Sequence, residues 1–134
     1  MEKILFVCVE NAGRSQMAKA FFRKYLPVGF EPISAGTNPA AKINPIVIQA
    51  MKEVGIDIED NFPQSISQQM INEAKIAVNM GCMDKESCPA LFLKDVVEWQ
   101  IPDPKGKTIE EVRIIRDQIK ASVLSLIKSI DENN

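Results

Sequence analysis

Histidine is absent from the 134 residues. That removes Ser-His-Asp and Cys-His arrangements, histidine-ligated metal sites and any imidazole general acid, so acid-base work falls to carboxylates. Cysteine is scarce: Cys8, Cys82 and Cys88 are too few and too unevenly spaced for a secreted disulfide framework. An odd count in a cytoplasmic chain points instead to reactive thiols or plain core residues. Long apolar runs are missing as well, and Ile4 to Val9 is too short for a signal-peptide core or a membrane span. Cytoplasm is the default location. Net charge is only -2 with a pI near 5.2, and there is no block of like charges, so neither nucleic acid nor anionic membrane is an expected partner. The one local basic cluster, Arg23-Lys24, reads as helix surface. Without repeats or low-complexity segments, residues 1–134 read as one domain, large enough to bury a core without staples.

What is present concentrates near the start. A short apolar strand ends at Cys8, and Val9-Glu10-Asn11-Ala12-Gly13 leads to Arg14-Ser15 and a helix, a Cys-x5-Arg loop. Backbone N–H groups left unpaired at a helix start point into such a loop, and the helix dipole adds positive potential, so a tetrahedral oxyanion is attracted there. Arg14 supplies a bidentate fork. The same field favours the Cys8 thiolate, since thiols in such settings fall from about 8.5 into a range of roughly 3.5 to 7.5. Ser15 is placed to donate its hydroxyl to that thiolate and to cap the helix with the same side chain. Gly13 gives room for backbone near the anion and permits positive φ, and Asn11 tolerates the left-handed region. The motif alone is a weak expression; the strand before it and the helix after it sharpen it. A buried strand-end cysteine with a surface arginine is the bland alternative.

The rest of the chain alternates strands and helices. Ser15 to Leu26 reads as a helix with Met17, Ala18, Phe21, Phe22 and Tyr25 inward and Gln16, Lys19 and Arg23 on a polar stripe. A strand lies within 30–36, and Asn44-Pro45 opens a helix over 46–54 that Gly55 closes. Residues 65–74 read as a helix, 76–80 as a buried strand leading to Gly81-Cys82, and 96–99 as a fourth strand stopped by Ile101-Pro102-Asp103-Pro104. Thr108-Ile109-Glu110-Glu111 has capping-box spacing before a helix whose Val112, Ile115, Ile119, Val123, Leu126 and Ile130 repeat at helical period. This order predicts an α/β domain with a four-stranded parallel sheet and helices on both faces. Ligands bind at the carboxyl ends of such strands, where Cys8, Cys82 and Asp103 would converge.

Asp103, stiffened between two prolines, is either a general acid whose carboxyl is kept protonated by burial and a nearby thiolate, or a surface turn. Cys82 and Cys88 flank a polar stretch and are either a thiol pair able to close a small disulfide or two small core thiols. A zinc site is disfavoured by the wide spacing and the lack of a fourth soft ligand, and neither a metal nor an organic cofactor is expected.

These residues together resemble the thioredoxin-coupled arsenate reductases of the low-molecular-weight protein tyrosine phosphatase superfamily. The likeness runs through Cys8 to Ala18, Ser34-Ala35-Gly36, Asn44-Pro45, Ala50 to Glu53, Ile56-Asp57-Ile58, Cys82 with Cys88-Pro89, Trp99 with Asp103-Pro104, and Arg113 to Ile119. It implies a low-molecular-weight phosphatase-like fold and a thiol relay. Arsenate would be held by the loop amides of Val9 to Ser15 and by Arg14, attacked by Cys8, and its leaving oxygen protonated by Asp103. Cys82 would then attack the Cys8 sulfur, Cys88 would resolve that bond into a Cys82–Cys88 disulfide, and thioredoxin would reduce it. The chain departs from the family pattern where potassium-binding members carry a glutamate, here Lys19, and an aspartate, here near Gln64. The Cys82 to Cys88 spacing is one residue shorter, and Lys105 follows Asp103-Pro104 where the phosphatase branch has an aromatic.

The function expected is therefore arsenate reduction by a cytoplasmic monomer with residual phosphatase activity. The nearest alternative is a phosphomonoesterase using Cys8, Arg14 and Asp103. A third reading, of another class, is a non-catalytic thiolate binder of arsenic or a soft metal, which leaves Arg14 and Asp103 without roles.

Overall fold

A computed structural model of the chain describes residues 1–80 and 96–132. The expected roles of Gly81, Cys82 and Cys88 fall outside the described residues. In order along the chain come β1 (Glu2–Cys8), α1 (Arg14–Lys24), β2 (Phe30–Gly36), α2 (Pro45–Lys52), α3 (Gln68–Glu73), β3 (Ala74–Asn79), β4 (Val96–Glu98) and α4 (Ile109–Glu132). The strands form one sheet in the order β2-β1-β3-β4, parallel throughout.

β1 is a central strand, which explains its unbroken apolar run: both of its faces are covered. Ile4 and Phe6 belong to a core shared with α1, α2 and α4, while Leu5 and Val7 pack with Ala35, Ile71, Ala74 and Ala77 on the opposite face under α3. The helical repeat read along α4 is buried in full, from Val112 through Ile130. Each such side chain stabilises the fold by about 1.5–3 kcal/mol, enough to fix the helix rotation. Phe6 carries the first core across the sheet, with ring centroids 5.8 Å from Phe22 and 5.9 Å from Trp99.

Helix ends follow the capping logic with some shifts. Asn44 accepts from Ile46 N at 3.0 Å with Pro45 in the first helical turn, and Gly55 takes φ +81 beyond α2. Thr108 Oγ1 accepts from Glu111 N at 3.3 Å and also contacts Glu111 Oε1 at 3.1 Å. The helix expected over 65–74 begins only at Gln68, because Ser67 is the residue whose side chain accepts from Met70 N, at 3.2 Å, and Ala74 already belongs to β3. No helix among the described residues is long and apolar enough to cross a membrane.

Candidate active site

β1 delivers Cys8 to the carboxyl edge of the sheet, 3% exposed, and the following residues turn back into α1. Asn11 makes the turn at φ 52, the left-handed conformation that asparagine tolerates better than most side chains. The loop's carbonyls are held from outside by one segment. Cys8 O, Val9 O, Glu10 O and Ala12 O accept from the N–H groups of Thr37, Asn38, Ala40 and Asn44 at 3.3, 2.8, 2.9 and 2.9 Å. The N–H groups of Val9 to Gly13 take no part in that set, and the first N–H groups of α1 have no intrahelical acceptor. An oxyanion is the natural partner for such an arrangement, and the helix dipole favours it. Gly36, at the end of β2, completes the support: a Cβ there would stand 2.5 Å from Val9 O and 3.0 Å from Asn11 N.

Beneath the loop a hydrogen-bond chain leads to the sulfur. Ser15 Oγ lies 2.8 Å from Cys8 Sγ and accepts from Asn11 Nδ2 at 2.7 Å. Asn11 Oδ1 accepts from Gln64 N at 2.9 Å and from Gln16 Nε2 at 3.1 Å, so the amide is oriented with its NH2 toward Ser15. With one lone pair of Ser15 occupied by Asn11, its hydroxyl can donate to Cys8 when the sulfur is a thiolate. Two expectations are corrected here. Ser15 does not cap α1: the helix starts at Arg14, Gly13 is the N-cap, and no side chain caps it, because the Ser15 hydroxyl is committed to Asn11 and Cys8. Gln16 is not on the polar stripe but 2% exposed, drawn inward by Asn11 O at 3.0 Å as well as Oδ1.

Arg14 is 7% exposed. Its Nη1 donates to Met80 O at 3.2 Å and to Ile101 O at 3.0 Å, so carbonyls from two chain segments set the plane of the guanidinium. Nη2 is left 3.6 Å from Asp103 Oδ2. Asp103 is more than half exposed, which overturns the expected burial: the Pro-Asp-Pro turn rides over the cleft instead of sinking into it. Two contacts seat that turn. Asp103 Oδ1 accepts from Lys105 N at 3.0 Å, and Pro104 lies so close to Gly13 that a Cβ there would stand 2.7 Å from Pro104 Cγ. Gly13 has φ -145, so this approach, and not a positive φ, is its reason for being glycine. Cys8, Arg14 and Asp103 thus line one cleft of about 310 Å³, together with Glu10, Lys42 and Lys105.

The structure places Cys8, the loop, Arg14 and Asp103 at one cleft; of the three strand-end residues expected to converge, Cys8 and Asp103 do so and Cys82 lies outside the described residues. It also shows supports that sequence reasoning missed: Gln16, Gln64, Gly36 and the segment 37–44. Ser34-Ala35-Gly36 and Gln64 had entered only through the family pattern, with no role at the loop. Lys19 is half-buried, and burial first, then the neighbouring Arg23 charge, hold its ammonium below the usual lysine value. The bonds to Asn11 come from Gln16 and Gln64 and not from Lys19.

A parallel sheet with a cysteine loop at its central strand and an Asp-Pro turn above it defines a class, and comparison with known proteins agrees. The chain belongs to the low molecular weight phosphotyrosine protein phosphatase family, which matches residues 3–134. Among individual relatives, an arsenate reductase of Brevibacillus brevis is 38% identical over 121 residues, covering 90% of each chain. A solved thioredoxin-dependent arsenate reductase of Corynebacterium glutamicum is 33% identical with a TM-score of 0.83, covering all of this chain and 64% of that one. The YwlE arginine phosphatase from Geobacillus stearothermophilus superposes with a TM-score of 0.88 at 26% identity, covering 99% of this chain and 95% of the other.

Proposed function

We propose that this protein reduces arsenate to arsenite, with Cys8 as nucleophile and thioredoxin as electron donor. The observation that carries the chemistry is the Cys8–Ser15 contact at 2.8 Å in the same cleft as Arg14 and Asp103. A thiolate held by a hydroxyl donor, beside a guanidinium and at a helix start, is a standing nucleophile for an anion bound above it. In the first step the Cys8 sulfur bonds to arsenic, and an arsenate oxygen leaves as water with a proton from Asp103, giving a thiol-arsenate adduct. In the second, the Cys82 thiolate attacks Cys8 Sγ. A Cys8–Cys82 disulfide forms, the S–As bond breaks with its electron pair going to arsenic, and arsenite departs. Cys88 then attacks Cys82, releasing the Cys8 thiolate and leaving a Cys82–Cys88 disulfide. The thioredoxin dithiol reduces that bond and is itself oxidised.

Arsenate and phosphate have the same tetrahedral form and charge, so the loop amides of Val9, Glu10, Asn11, Ala12, Gly13, Arg14 and Ser15 would bind either. The likeness to arsenate reductases over most of the chain supports the reductase reading over simple hydrolysis. Membership of the phosphotyrosine protein phosphatase family keeps phosphomonoester hydrolysis as the second reading, one that uses Cys8, Arg14 and Asp103 but neither Cys82 nor Cys88. A non-catalytic thiolate binder would need the cysteines as a cluster and gives Arg14 and Asp103 nothing to do. We take 1–134 as one domain, acting as a cytoplasmic monomer without metal or cofactor.

The test is arsenate-dependent NADPH oxidation in the presence of thioredoxin and its reductase, run beside hydrolysis of an aryl phosphate. The parent should turn over arsenate, Cys8→Ser should abolish both reactions, and Cys82→Ser or Cys88→Ser should abolish multiple turnover of arsenate while sparing hydrolysis. Parent-like arsenate turnover by Cys88→Ser would remove the relay.

A further inference from the structure

The mouth of the cleft carries an ion pair that the chemistry above does not use. Glu10 lies within the anion loop, so a negative side chain starts from the element that must attract an oxyanion. Its Oε1 accepts from Lys105 Nζ at 2.8 Å. Lys105 stands two residues beyond Asp103 on the turn seated against Gly13. Glu10 is the more enclosed partner, its side chain 35% exposed against 70% for Lys105. The other charged groups lining the cleft are Arg14, Lys42 and Asp103, and Arg14 is already paired with Asp103 at 3.6 Å. The hydrogen bond that Lys105 donates to Glu10, then the Glu10 charge, raise the Lys105 ammonium above the usual lysine value, so the lysine stays charged across the working range.

We propose that Lys105 is a specificity-determining residue that neutralises Glu10 and thereby sets the affinity of the cleft for tetrahedral oxyanions of high negative charge. The proposal rests on the reading of the Cys8 loop as an oxyanion site. It differs from a structural tie in the sign of its consequences. Without the Lys105 charge, Glu10 is left bare at the mouth and repels the anion. Without the Glu10 charge, Lys105 is released to attract it. With both charges gone, the field at the loop returns close to that of the parent. A tie that merely held the Asp103 turn in place would weaken binding in both single variants and would not recover in the double.

The experiment measures the dissociation constant of inorganic phosphate by calorimetry, and independently by its protection of Cys8 from alkylation. It compares the parent with Lys105→Met, Glu10→Gln, the double variant, and the charge-exchanged pair Glu10→Lys with Lys105→Glu. At low salt Lys105→Met should weaken phosphate binding about three- to tenfold and Glu10→Gln should tighten it by a similar factor, as expected for one unit charge near a solvated anion. The double and charge-exchanged variants should lie within about twofold of the parent, and all differences should shrink as added salt shortens the screening length. Single variants that move in the same direction, or that both leave the constant unchanged, overturn the proposal. A parent that fails to bind phosphate overturns the oxyanion reading and this inference with it. Phosphate binding tuned as stated in a protein that does not reduce arsenate would refute the reductase reading alone and uphold the role of Lys105.

Discussion

Ser15→Ala tests the chain of bonds under the loop most directly. In the parent, Asn11 Nδ2 donates to Ser15 Oγ at 2.7 Å and Ser15 Oγ lies 2.8 Å from Cys8 Sγ, placed to donate to the thiolate, all in buried surroundings. A hydrogen bond to a charged acceptor is worth about 1.5–3 kcal/mol. At about 1.4 kcal/mol per factor of ten, its loss should cut the thiolate population of Cys8 at least about tenfold at a pH where the thiol form dominates. The substitution also strands Asn11 Nδ2, a buried donor, costing a further 1–3 kcal/mol or so of stability. The assay is the rate of iodoacetamide alkylation against pH, in a background where Cys82 and Cys88 are serine so that Cys8 is the sole thiol, with urea unfolding alongside. The half-point of alkylation should move to higher pH and the urea midpoint should fall. An alkylation profile that superposes on that of the parent would refute the argument, because no other consequence of the geometry is as direct.

Asp103→Asn should slow hydrolysis of aryl phosphates with basic leaving groups by about 10²- to 10⁴-fold and those with good leaving groups far less; equal losses would remove the acid role. Gly36→Ala places a methyl 2.5 Å from Val9 O, a backbone atom, so the loop must shift and phosphate should no longer protect Cys8 from alkylation; retained protection would show that the loop can yield. Glu53 accepts from Arg113 Nε and Nη2 at 2.9 and 2.7 Å and from Arg116 Nη1 at 3.0 Å, and chiefly the Arg113 hydrogen bonds hold its carboxyl below the usual 4.5. Its stabilising contribution is therefore present above the unfolded-state value and lost as pH falls through the lower folded-state value. Urea midpoints should drop below about pH 4.5, with a shallower drop in Glu53→Gln. Lys19, lowered mainly by burial, binds protons less readily in the folded chain than in the unfolded one, so at neutral pH its charge opposes folding. Lys19→Met should raise the urea midpoint, and a fall would mean that the ammonium contributes to stability despite its burial.

Several features are local and were legible without a structure. A continuous apolar run of five residues ending in Cys8 has little choice but to be a buried parallel strand, and Asn44-Pro45 or Thr108 with Glu111 carry their helix starts in their own side chains. The spacing from Cys8 to Arg14, read with the strand before it and the helix after it, likewise pointed to a loop at a helix start, where backbone N–H groups are left without intrahelical acceptors. Tertiary structure decided whatever depends on partners far along the chain. Gln16 looked like helix surface by period, yet its Nε2 finds both Asn11 carbonyl oxygens and its Oε1 accepts from Asn61 Nδ2 at 3.5 Å, and an amide buried with such partners is cheaper than an orphaned loop. Ser15 had the composition of a cap, but Asn11 and Cys8 compete for the same hydroxyl and are nearer. Asp103 was readable as a strand-end carboxylate, whereas its exposure and its pairing with Arg14 depend on how Pro104 rests on Gly13, a contact between residues about 90 positions apart. The Glu10–Lys105 pair has the same origin: a charge on a loop has a meaning only once packing has chosen what stands opposite it.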